Sequence, residues 1–525
     1  MSPHAKFLQR KTLSEARALL LNGVASVDAE ELEVGDACGR VTAETLFAVH
    51  PSPHYRASAM DGVAVRAADT FAASAQTPLR LPLLASGQTG GEQQAAAQPF
   101  CQAVDTGSPL ATWADAVLRI ENVTISDGVC VVTSPVPPGR DVRRAGEDID
   151  AGAVVVPAGA RLTPYDLGAL LATGTSRLRV RQRPRVAIIA TGSEVVEPGG
   201  TAAPGQVIEY NSRVMAALVT EWGGQPQRLG IVADDEASLA STIGAACRSF
   251  DVVCVIAGSS AGRKDLTIPV LETLGEVFVH GVDIAPGRPV ALARVEATPV
   301  VAVPGYPVSA IVACEQLLQP LIAALLGSAQ LAPPTLEASV RRKITSRLGI
   351  EEFRRVCLTR GPCGYVVAPL PGGAGSISTV ADAHGWLRIP FNREGVDAGC
   401  DVTIELLVTR DEIDAAMVVA GHPCGAGYEI ERRLRALDAR ARVHYLRLGK
   451  LDAAAAVERG EAHLMLDDED PHQSADDDAK PLVKLSACGA GAWTTAAGLE
   501  ENPVLGVLLE ASILEVIKPV TATRR

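Results

Sequence analysis

The chain has 525 residues, which at roughly 150 residues per domain leaves room for about three or four domains and excludes a single small module. Hydrophobic residues make up 47% of the chain and charged residues 21%, so most of it can bury a core. The net charge of −13 argues against non-specific nucleic-acid binding, which requires a basic surface.

The eleven cysteines are scattered and include no Cys-x-x-Cys pair. This usage is typical of reduced, mostly buried thiols, so we expect a cytoplasmic protein. The start of the chain lacks the apolar segment and the cleavage site of a signal peptide. No run of about 20 uncharged apolar residues predicts a membrane span. We therefore expect neither a membrane nor a nucleic acid as a partner.

The N-terminal third is predicted to contain two interleaved domains. A helix, a short strand and a second helix are predicted over residues 12–50. Residues 55–143 consist of short alternating apolar stretches separated by Gly, Pro and Asp turns, a pattern typical of a β-rich domain. The flanking pieces, residues 1–54 and 144–182, are predicted to form one α+β domain into which the β-rich domain is inserted.

Short apolar strands alternate with helices between residues 183 and 330. This alternation predicts right-handed crossovers and a parallel sheet, hence an α/β domain. The predicted strands are RVAIIATG, RLGIVADD, DVVCVIAGSSAG and PVVAVPGYP.

The C-terminal part is predicted to contain two further domains. Residues 331–410 are rich in short strands, enough for a small β-barrel domain. Residues 411–525 begin with a strand, a glycine turn and a helix, then a strand, a helix and a strand, which favours a separate α/β domain. The predicted fold class is therefore α/β multidomain, with a central parallel-sheet α/β domain, β-rich flanking domains, a small β-barrel domain and a C-terminal α/β domain.

Glycine turns follow three strands of the middle domain, at the edge where open parallel sheets bind their ligands. Glycine lets the backbone approach a ligand closely, and a helix N-terminus offers free N–H groups to an anion. A site for a phosphate-bearing substrate is one interpretation, and turns that merely end strands are the other. The turns are Thr191-Gly192-Ser193-Glu194, Gly258-Ser259-Ser260-Ala261-Gly262 and Pro304-Gly305-Tyr306-Pro307.

The same loops carry acidic and basic side chains. Carboxylates repel a phosphate unless a cation intervenes, so the acids favour a bound Mg²⁺ that bridges to phosphate oxygens. Ordinary charged surface residues are the alternative. The acids are Glu194, Asp234, Asp235 and Asp265, and the bases that could attract an anion are Arg263, Lys264 and Arg288.

Two turns of the β-rich domain are weaker candidates. From local sequence alone, Asp61 in the segment SAMDG and Thr106 in Thr106-Gly107-Ser108 are better explained as ordinary turn residues. No Gly-x-Ser-x-Gly elbow or Ser-His-Asp arrangement is visible, so serine hydrolysis is not indicated.

The motifs, taken together and in this order, resemble the molybdopterin molybdenumtransferase family, which includes the E domain of gephyrin. The resemblance covers residues 10 to 408. It implies that molybdenum from molybdate is inserted into adenylylated molybdopterin, with Mg²⁺-assisted release of AMP. It also implies a homodimer with its active site at the subunit interface. The motifs are SAMDGVAV, DTGSPLATWADAVLRIEN, GRDVRRAGEDI, ATGSEVVEPG, AGSSAGRKDLT, APGRP and VPGYPVSA.

The resemblance also implies roles for individual residues. The catalytic residues would be Asp61, Glu194 and Asp265. The Mg²⁺ ligands would be Glu194, Asp234, Asp235 and Asp265. The residues that bind the pterin substrate would be Thr106, Gly192, Ser259, Ser260, Gly262, Arg288, Pro304, Gly305 and Ser309. The chain departs from the family pattern at Ala285, where a lysine is usual, and at Tyr306, where an asparagine is usual.

The tail, residues 411–525, resembles the periplasmic-binding-protein-like domain that is fused to one branch of this family. It is shorter than a two-lobed binding domain, so truncation, incomplete folding and a vestigial domain are open alternatives. The resemblance implies that it binds molybdate or tungstate. Two alternatives to the transferase stay open. One is a molybdopterin adenylyltransferase, which shares only the middle domain. The other is a molybdate or tungstate sensor or scaffold without turnover. An upstream adenylyltransferase and acceptor molybdoenzymes are candidate protein partners.

Overall fold

The computed structural model describes residues 10–84, 98–257, 266–330, 332–361, 364–422, 431–432, 434–436, 438–467 and 484–485. The chain divides into two compact units. The first unit comprises Ala25–Arg183 and Leu325–Ala329, and the second comprises Met1–Val24, Pro184–Ala324 and Gln330–Arg525.

The first unit contains an α+β part and a β-rich part. In the α+β part, strand Ala29–Glu33 pairs with Arg177–Arg181 and strand Leu46–Phe47 pairs with Val154–Val156, both antiparallel. Helix Pro164–Ala172 begins with a capping box and a proline in its first turn, a favourable helix start. The core is formed by Val34, Ala37, Leu46, Val156, Leu162, Leu170, Leu178 and Val180.

The second helix predicted before residue 50 is wrong. A single 3₁₀ turn, Val34–Asp36, and the short strand Leu46–Phe47 occupy that segment instead. The segment contains Gly35 and Gly39, and glycine disfavours a helix by about 1 kcal/mol relative to alanine. Its apolar residues serve the core of the α+β part without forming a helical face.

The β-rich part is a six-stranded sheet. All neighbouring strands are antiparallel except Leu79–Leu84 and Cys101–Val104, which are parallel. The two-residue strands Ala57–Ser58 and Val142–Arg143 pair beside it. The spatial order is Ala116–Arg119, Gly62–Val65, Cys101–Val104, Leu79–Leu84, Val129–Val132 and Val123–Ser126.

The second unit is centred on a six-stranded sheet that confirms the predicted alternation of strands and helices. Four neighbouring strands are parallel, but the two strands at one edge form antiparallel pairs, so the sheet is mixed and not wholly parallel as predicted. The central strand Val252–Ala257 is buried along its whole length, as expected for a strand covered on both faces. The order is Gln225–Val232, Arg185–Thr191, Val252–Ala257, Thr298–Pro304, Ala291–Val295 and Glu276–His280.

Helices lie between these strands and at the start of the unit. Helix Leu13–Leu21 begins with a capping box between Thr12 and Glu15, which confirms the predicted helix start. The helix after the last parallel strand includes a π-helical turn, Cys314–Leu318. Short strands Val195–Val196 and Val207–Ile208 pair in parallel. The other helices are Asn211–Glu221, Glu236–Ser249, Thr267–Leu274, Pro307–Ala313 and Gln319–Leu325.

A five-stranded β-barrel follows, as predicted. It closes because strand Glu351–Gly361 pairs with both Gly364–Pro369 and Gly385–Ile389. Strands Thr335–Val340 and Asp401–Leu406 complete the ring. Three smaller strands and one short helix accompany the barrel: Ile284–Ala285, Ile344–Thr345, Gly395–Val396 and Ser378–Ala381.

The tail forms a small parallel sheet that packs on the barrel. Strand Ala416–Ala420 lies between Arg442–Leu446 and Leu464–Asp467, and helix Lys450–Glu458 connects the last two. Strand Lys484–Leu485 pairs with Leu464–Asp467, and helix Arg410–Ala415 leads into the sheet. Barrel and tail share one core, formed by Cys357, Ala368, Leu370, Ala383, Val418, Ala420, Leu446, Ala453, Ala456, Val457, Ala462 and Met465.

Candidate functional site

Two predicted site residues of the β-rich part, on two neighbouring turns, are joined by hydrogen bonds. Asp61 Oδ1 accepts hydrogen bonds from the backbone N–H of Thr106 (2.7 Å) and from its hydroxyl (2.8 Å). The Gly107 N–H donates to the Ser58 carbonyl at 2.8 Å, which ties the two turns together. The Thr106 donors lower the pKa of Asp61, because they stabilise the carboxylate. The result is an exposed, ionised carboxylate held in place by Thr106.

The residue after Asp61 fixes how closely this turn approaches its neighbour. A Cβ on Gly62 would lie 2.0 Å from the Leu118 carbonyl oxygen, which leaves no room for a side chain. The Ile120 N–H donates to the Asp61 carbonyl at 3.0 Å. The strand pairing therefore sets the position of Asp61. The glycine of the Asp-Gly sequence is required for this close strand contact and not only for a turn.

In the second unit, loops after two neighbouring parallel strands are joined by hydrogen bonds. The Ser193 N–H donates to Asp234 Oδ2 at 3.1 Å, and the Asp234 N–H donates to Ser193 Oγ at 3.2 Å. Gly192 is buried and begins the turn that presents Glu194. Glu194 and Asp234 are both exposed. The structure thus places these two predicted Mg²⁺ ligands on adjacent, mutually tied loops.

Asp235 has a different local role. Its Oδ2 accepts a 2.8 Å hydrogen bond from the Ser238 N–H and caps helix Glu236–Ser249. Hydrogen bonding by the Ser238 hydroxyl and N–H lowers the pKa of Asp235. Because this carboxylate already satisfies a helix N-terminus, Asp234 is the freer acid of the pair.

Glu194 is supported by a buried network that the sequence did not suggest. Glu209 is only 4% exposed, and its carboxylate accepts hydrogen bonds from the Ser212 N–H (2.7 Å) and hydroxyl (2.6 Å). Arg213 pairs with the same carboxylate at 2.8 Å. The strand Val207–Ile208 that precedes Glu209 donates a backbone hydrogen bond of 2.9 Å to the Glu194 carbonyl. The network therefore anchors the segment that holds the Glu194 loop.

The loop after strand Thr298–Pro304 contacts two other segments of the second unit. The Asn211 side chain donates a 2.7 Å hydrogen bond to the Gly305 carbonyl. Gly287 has a φ of +120°, and a Cβ there would lie 3.0 Å from Ile284 Cδ1 and 3.3 Å from the Ser309 carbonyl oxygen. The turn that carries Arg288 thus packs closely on the first turn of the helix that contains Ser309.

A buried arginine of the barrel holds a further loop against this region. The Arg355 guanidinium donates to the carbonyls of Gly372 (2.8 Å) and Gly373 (3.1 Å) and to the Thr379 hydroxyl (2.6 Å). In the same loop, the Ala374 carbonyl accepts a 3.0 Å hydrogen bond from the Val308 N–H. This loop therefore contacts the first turn of the helix that follows Tyr306. The side chain of Tyr306 is exposed.

Sequence reasoning missed Asn211, Glu209 and Arg355. The alternation of Phe353, Arg355 and Cys357, all buried on strand Glu351–Gly361, was the one signal that pointed to an inward-facing arginine. No local sequence pattern pointed to Asn211 or Glu209 as part of the site.

Residues 258–265, which include the second of the three glycine turns, lie outside the described residues. Strand Val252–Ala257 ends immediately before them, and Gly305 approaches Ala257, since a Cβ on Gly305 would lie 3.5 Å from the Ala257 carbonyl oxygen. The predictions that fall on this loop remain predictions: Ser259, Ser260, Gly262, Arg263, Lys264 and Asp265.

One helical stretch in the described part of the chain, Pro307–Leu325, is long and apolar enough to cross a bilayer. However, 72% of the most apolar part of this stretch is buried within the structure, as is usual for a core helix of a folded domain.

Three family models match the chain in succession. The MoeA N-terminal region (domain I and II) matches residues 11–174, a probable molybdopterin binding domain matches 187–324, and the MoeA C-terminal region (domain IV) matches 337–407. These matches reach well beyond the middle domain, which argues against the molybdopterin adenylyltransferase alternative.

Individual relatives agree with this assignment. The chain is 32% identical over 378 residues to molybdopterin molybdenumtransferase 2 of Mycobacterium tuberculosis, covering 70% of this chain and 92% of the relative. It is 31% identical over 400 residues to molybdopterin molybdenumtransferase of Haemophilus influenzae, covering 75% and 98%. A solved molybdopterin biosynthesis MoeA protein from Pyrococcus horikoshii superimposes with a TM-score of 0.68 at 31% identity, covering 76% of this chain and 100% of that one. The chain therefore belongs to the molybdopterin molybdenumtransferase (MoeA) family, the transferases of molybdenum cofactor biosynthesis.

Proposed function

We propose that the protein inserts molybdenum from molybdate into adenylylated molybdopterin, with Mg²⁺-dependent release of AMP. The observation that carries the proposal is the pair of exposed carboxylates, Glu194 and Asp234, on loops joined through Ser193. Both loops follow parallel strands, at the edge where open α/β sheets bind ligands. A phosphate ester bound there would meet a cation held by protein oxygens.

The residues present fit Mg²⁺. This cation takes hard oxygen ligands, often one or two carboxylates together with substrate phosphates, and retains several waters. Within the described residues, neither Glu194 nor Asp234 forms an ion pair. Asp234 Oδ2 accepts the Ser193 N–H, which leaves Asp234 Oδ1 and the Glu194 carboxylate for a cation. Mg²⁺ would neutralise the phosphate charge that the carboxylates otherwise repel. Asp265 is proposed as a third acid on the neighbouring loop.

Arg288 is proposed to bind the anionic part of the substrate. It lies in the turn that packs on Ser309 through Gly287, and no carboxylate in the described part of the chain pairs with its guanidinium. An unpaired guanidinium is a strong partner for phosphate or molybdate oxygens. Pro304 and Gly305 would shape the adjoining wall.

Asp61 and Thr106 are proposed to complete the site across a homodimer interface. Thr106 holds Asp61 ionised, so Asp61 can attract a cation or orient a water molecule but cannot donate a proton near neutral pH. Because the substrate arrives adenylylated and the product leaves as a finished cofactor, an upstream adenylyltransferase and acceptor molybdoenzymes are proposed as transient partners.

The test is AMP release from adenylylated molybdopterin, with Mg²⁺ and molybdate each added or withheld. We expect release to require both, and Glu194→Gln and Asp234→Asn each to lower it by about 100-fold, as loss of a charged catalytic contact usually does. Glu236→Gln is the matched control, because Glu236 is an exposed carboxylate in the same segment to which no role in the site is assigned.

Full AMP release by Glu194→Gln would contradict the assigned role. Molybdate binding without any AMP release by the folded wild-type protein would instead favour the sensor or scaffold alternative.

A further inference from the structure

Three potential metal ligands meet between the barrel and the tail sheet. Cys357 lies on barrel strand Glu351–Gly361, His384 immediately precedes strand Gly385–Ile389, and His444 lies on tail strand Arg442–Leu446. One ligand atom from each lies within 4.8 Å of the others. All three side chains are buried, with His384 only 1% exposed. The cluster joins residues that are far apart in the sequence.

The hydrogen bonds of His444 leave one ring nitrogen free to ligate. Its Nδ1 lies 2.9 Å from the Asp382 carbonyl oxygen. Since a carbonyl can only accept, Nδ1 carries the proton and Nε2 keeps its lone pair. A ligating histidine that donates its other N–H to a backbone carbonyl is the usual arrangement in metal sites. The Cys357 thiol donates to the same carbonyl at 3.2 Å.

His384 is the second imidazole of the cluster, and its hydrogen bonding differs from that of His444. Its Nε2 is buried and has no hydrogen-bond partner among the described residues, and such unsatisfied atoms are rare in folded proteins. Its Nδ1 accepts a 3.0 Å hydrogen bond from the Leu358 N–H. Nε2 therefore carries the ring proton when no metal is bound. Ligation through Nε2 requires this proton to move to Nδ1, which ends the hydrogen bond from the Leu358 N–H and releases no proton from the ring. One neutral hydrogen bond is a small loss beside a metal–ligand bond.

The surroundings keep both imidazoles neutral, which is the form that binds metals. Burial lowers the pKa of His384 to about 3 and also lowers the pKa of His444. The rings meet edge to face, with centroids 4.4 Å apart. Cys357 itself belongs to the apolar core that barrel and tail share.

We propose that Cys357, His384 and His444 form a Zn²⁺ site that fastens the tail sheet to the barrel. One thiolate and two imidazoles are typical ligands of Zn²⁺, whereas Mg²⁺ requires oxygen. The site is therefore distinct from the proposed Mg²⁺ site. Binding forms a Zn–S bond and releases the thiol proton of Cys357 to solvent, and water takes the fourth position. The metal has a structural role, because it joins two segments of the chain.

The experiment titrates Zn²⁺ alone into the full chain after chelator treatment, in competition with a chromogenic chelator. Co²⁺ serves as a second probe, because a thiolate ligand gives a sulfur-to-cobalt charge-transfer band. We expect one Zn²⁺ per chain at this site and a loss of affinity of at least about 100-fold in Cys357→Ser and in His444→Gln, since even outer ligands change affinity by about 10–100-fold. Cys101→Ser, at another buried cysteine, is the matched control and should bind as the wild type does.

Absence of Zn²⁺ binding by the wild type, or unchanged affinity in folded Cys357→Ser, would overturn the proposal. If Cys357→Ser does not fold, X-ray absorption of the zinc-loaded wild type decides. One sulfur and at least two imidazole ligands support the site, and any other ligand set refutes it.

Discussion

His384 should make the junction of barrel and tail sensitive to acid. Burial lowers its pKa from the ordinary 6.5 to about 3, and its Nδ1 accepts a hydrogen bond from the Leu358 N–H. The unfolded chain therefore binds a proton below about pH 6.5 that the folded protein excludes. The stability that the neutral ring provides is present above that pH and is lost as the pH falls towards 3.

The size of the effect follows from proton linkage. For one group with these two pKa values, a fall from about pH 7.5 to about pH 5 lowers the free energy of unfolding by about 2 kcal/mol. His384→Asn removes this titration and keeps an acceptor near the Leu358 N–H. The variant will be less stable at neutral pH because it underfills the core. However, its loss of stability over this pH range should be smaller than that of the wild type by about 2 kcal/mol.

A second buried group titrates in the opposite direction. Desolvation raises the pKa of Glu315 to about 8, so its contribution to stability rises as the pH falls from about 8 towards 4.5. Because Glu315 is present in both proteins, its contribution cancels in the difference between wild type and His384→Asn.

The assay is hydrogen exchange of strand Gly385–Ile389 at increasing urea, with a chelator present to keep metals out. This reports the opening of the barrel alone and needs no two-state unfolding of the whole chain. His54→Asn, at an exposed histidine of the other unit, is the control and should follow the wild-type pH profile. If the free energy of opening changes with pH equally in the wild type and in His384→Asn, the assignment of a neutral, buried imidazole is refuted.

Three other changes test the site. Thr106→Val removes one of the two Thr106 donors to Asp61, so the pKa of Asp61 measured by NMR should rise and AMP release should fall by about tenfold, whereas Thr106→Ser should change neither. Gly287→Ala places a Cβ in left-handed backbone against Ile284 and should lower stability by about 1–3 kcal/mol in thermal unfolding. An unchanged transition would mean that the turn adjusts freely. Asp235→Ala should increase hydrogen exchange in the first turn of its helix, which Asp235→Asn should not do.

The middle domain could be predicted because its strands are short, apolar and separated by helices of ordinary length. The same pattern concealed the antiparallel edge. Strands Glu276–His280 and Ala291–Val295 are connected without a helix, and the first is only partly buried. An edge pair with mixed burial lacks the continuous apolar run that identifies a central parallel strand.

The partnership of Asp61 and Thr106 lay beyond the reach of local pattern. The two residues are 45 positions apart, and they meet because strands Gly62–Val65 and Cys101–Val104 pair in a register that sets Gly62 opposite Val104. Each turn alone has the composition of any tight turn. Only the register of the sheet shows that one turn supplies the donors that keep the carboxylate of the other ionised.

The cysteine and histidine cluster shows the same limit for metal sites. A search for zinc spacing examines ligands close together in the sequence, and Cys357 has no such neighbours. Its partners precede a neighbouring barrel strand and lie on a tail strand, and they converge only when barrel and tail fold on one core. The tail strands are predictable from their apolar runs, but such runs do not reveal what a strand packs against. That contact determines whether His444 is an isolated core histidine or one of three ligands, and so the metal titration also tests how the tail is attached.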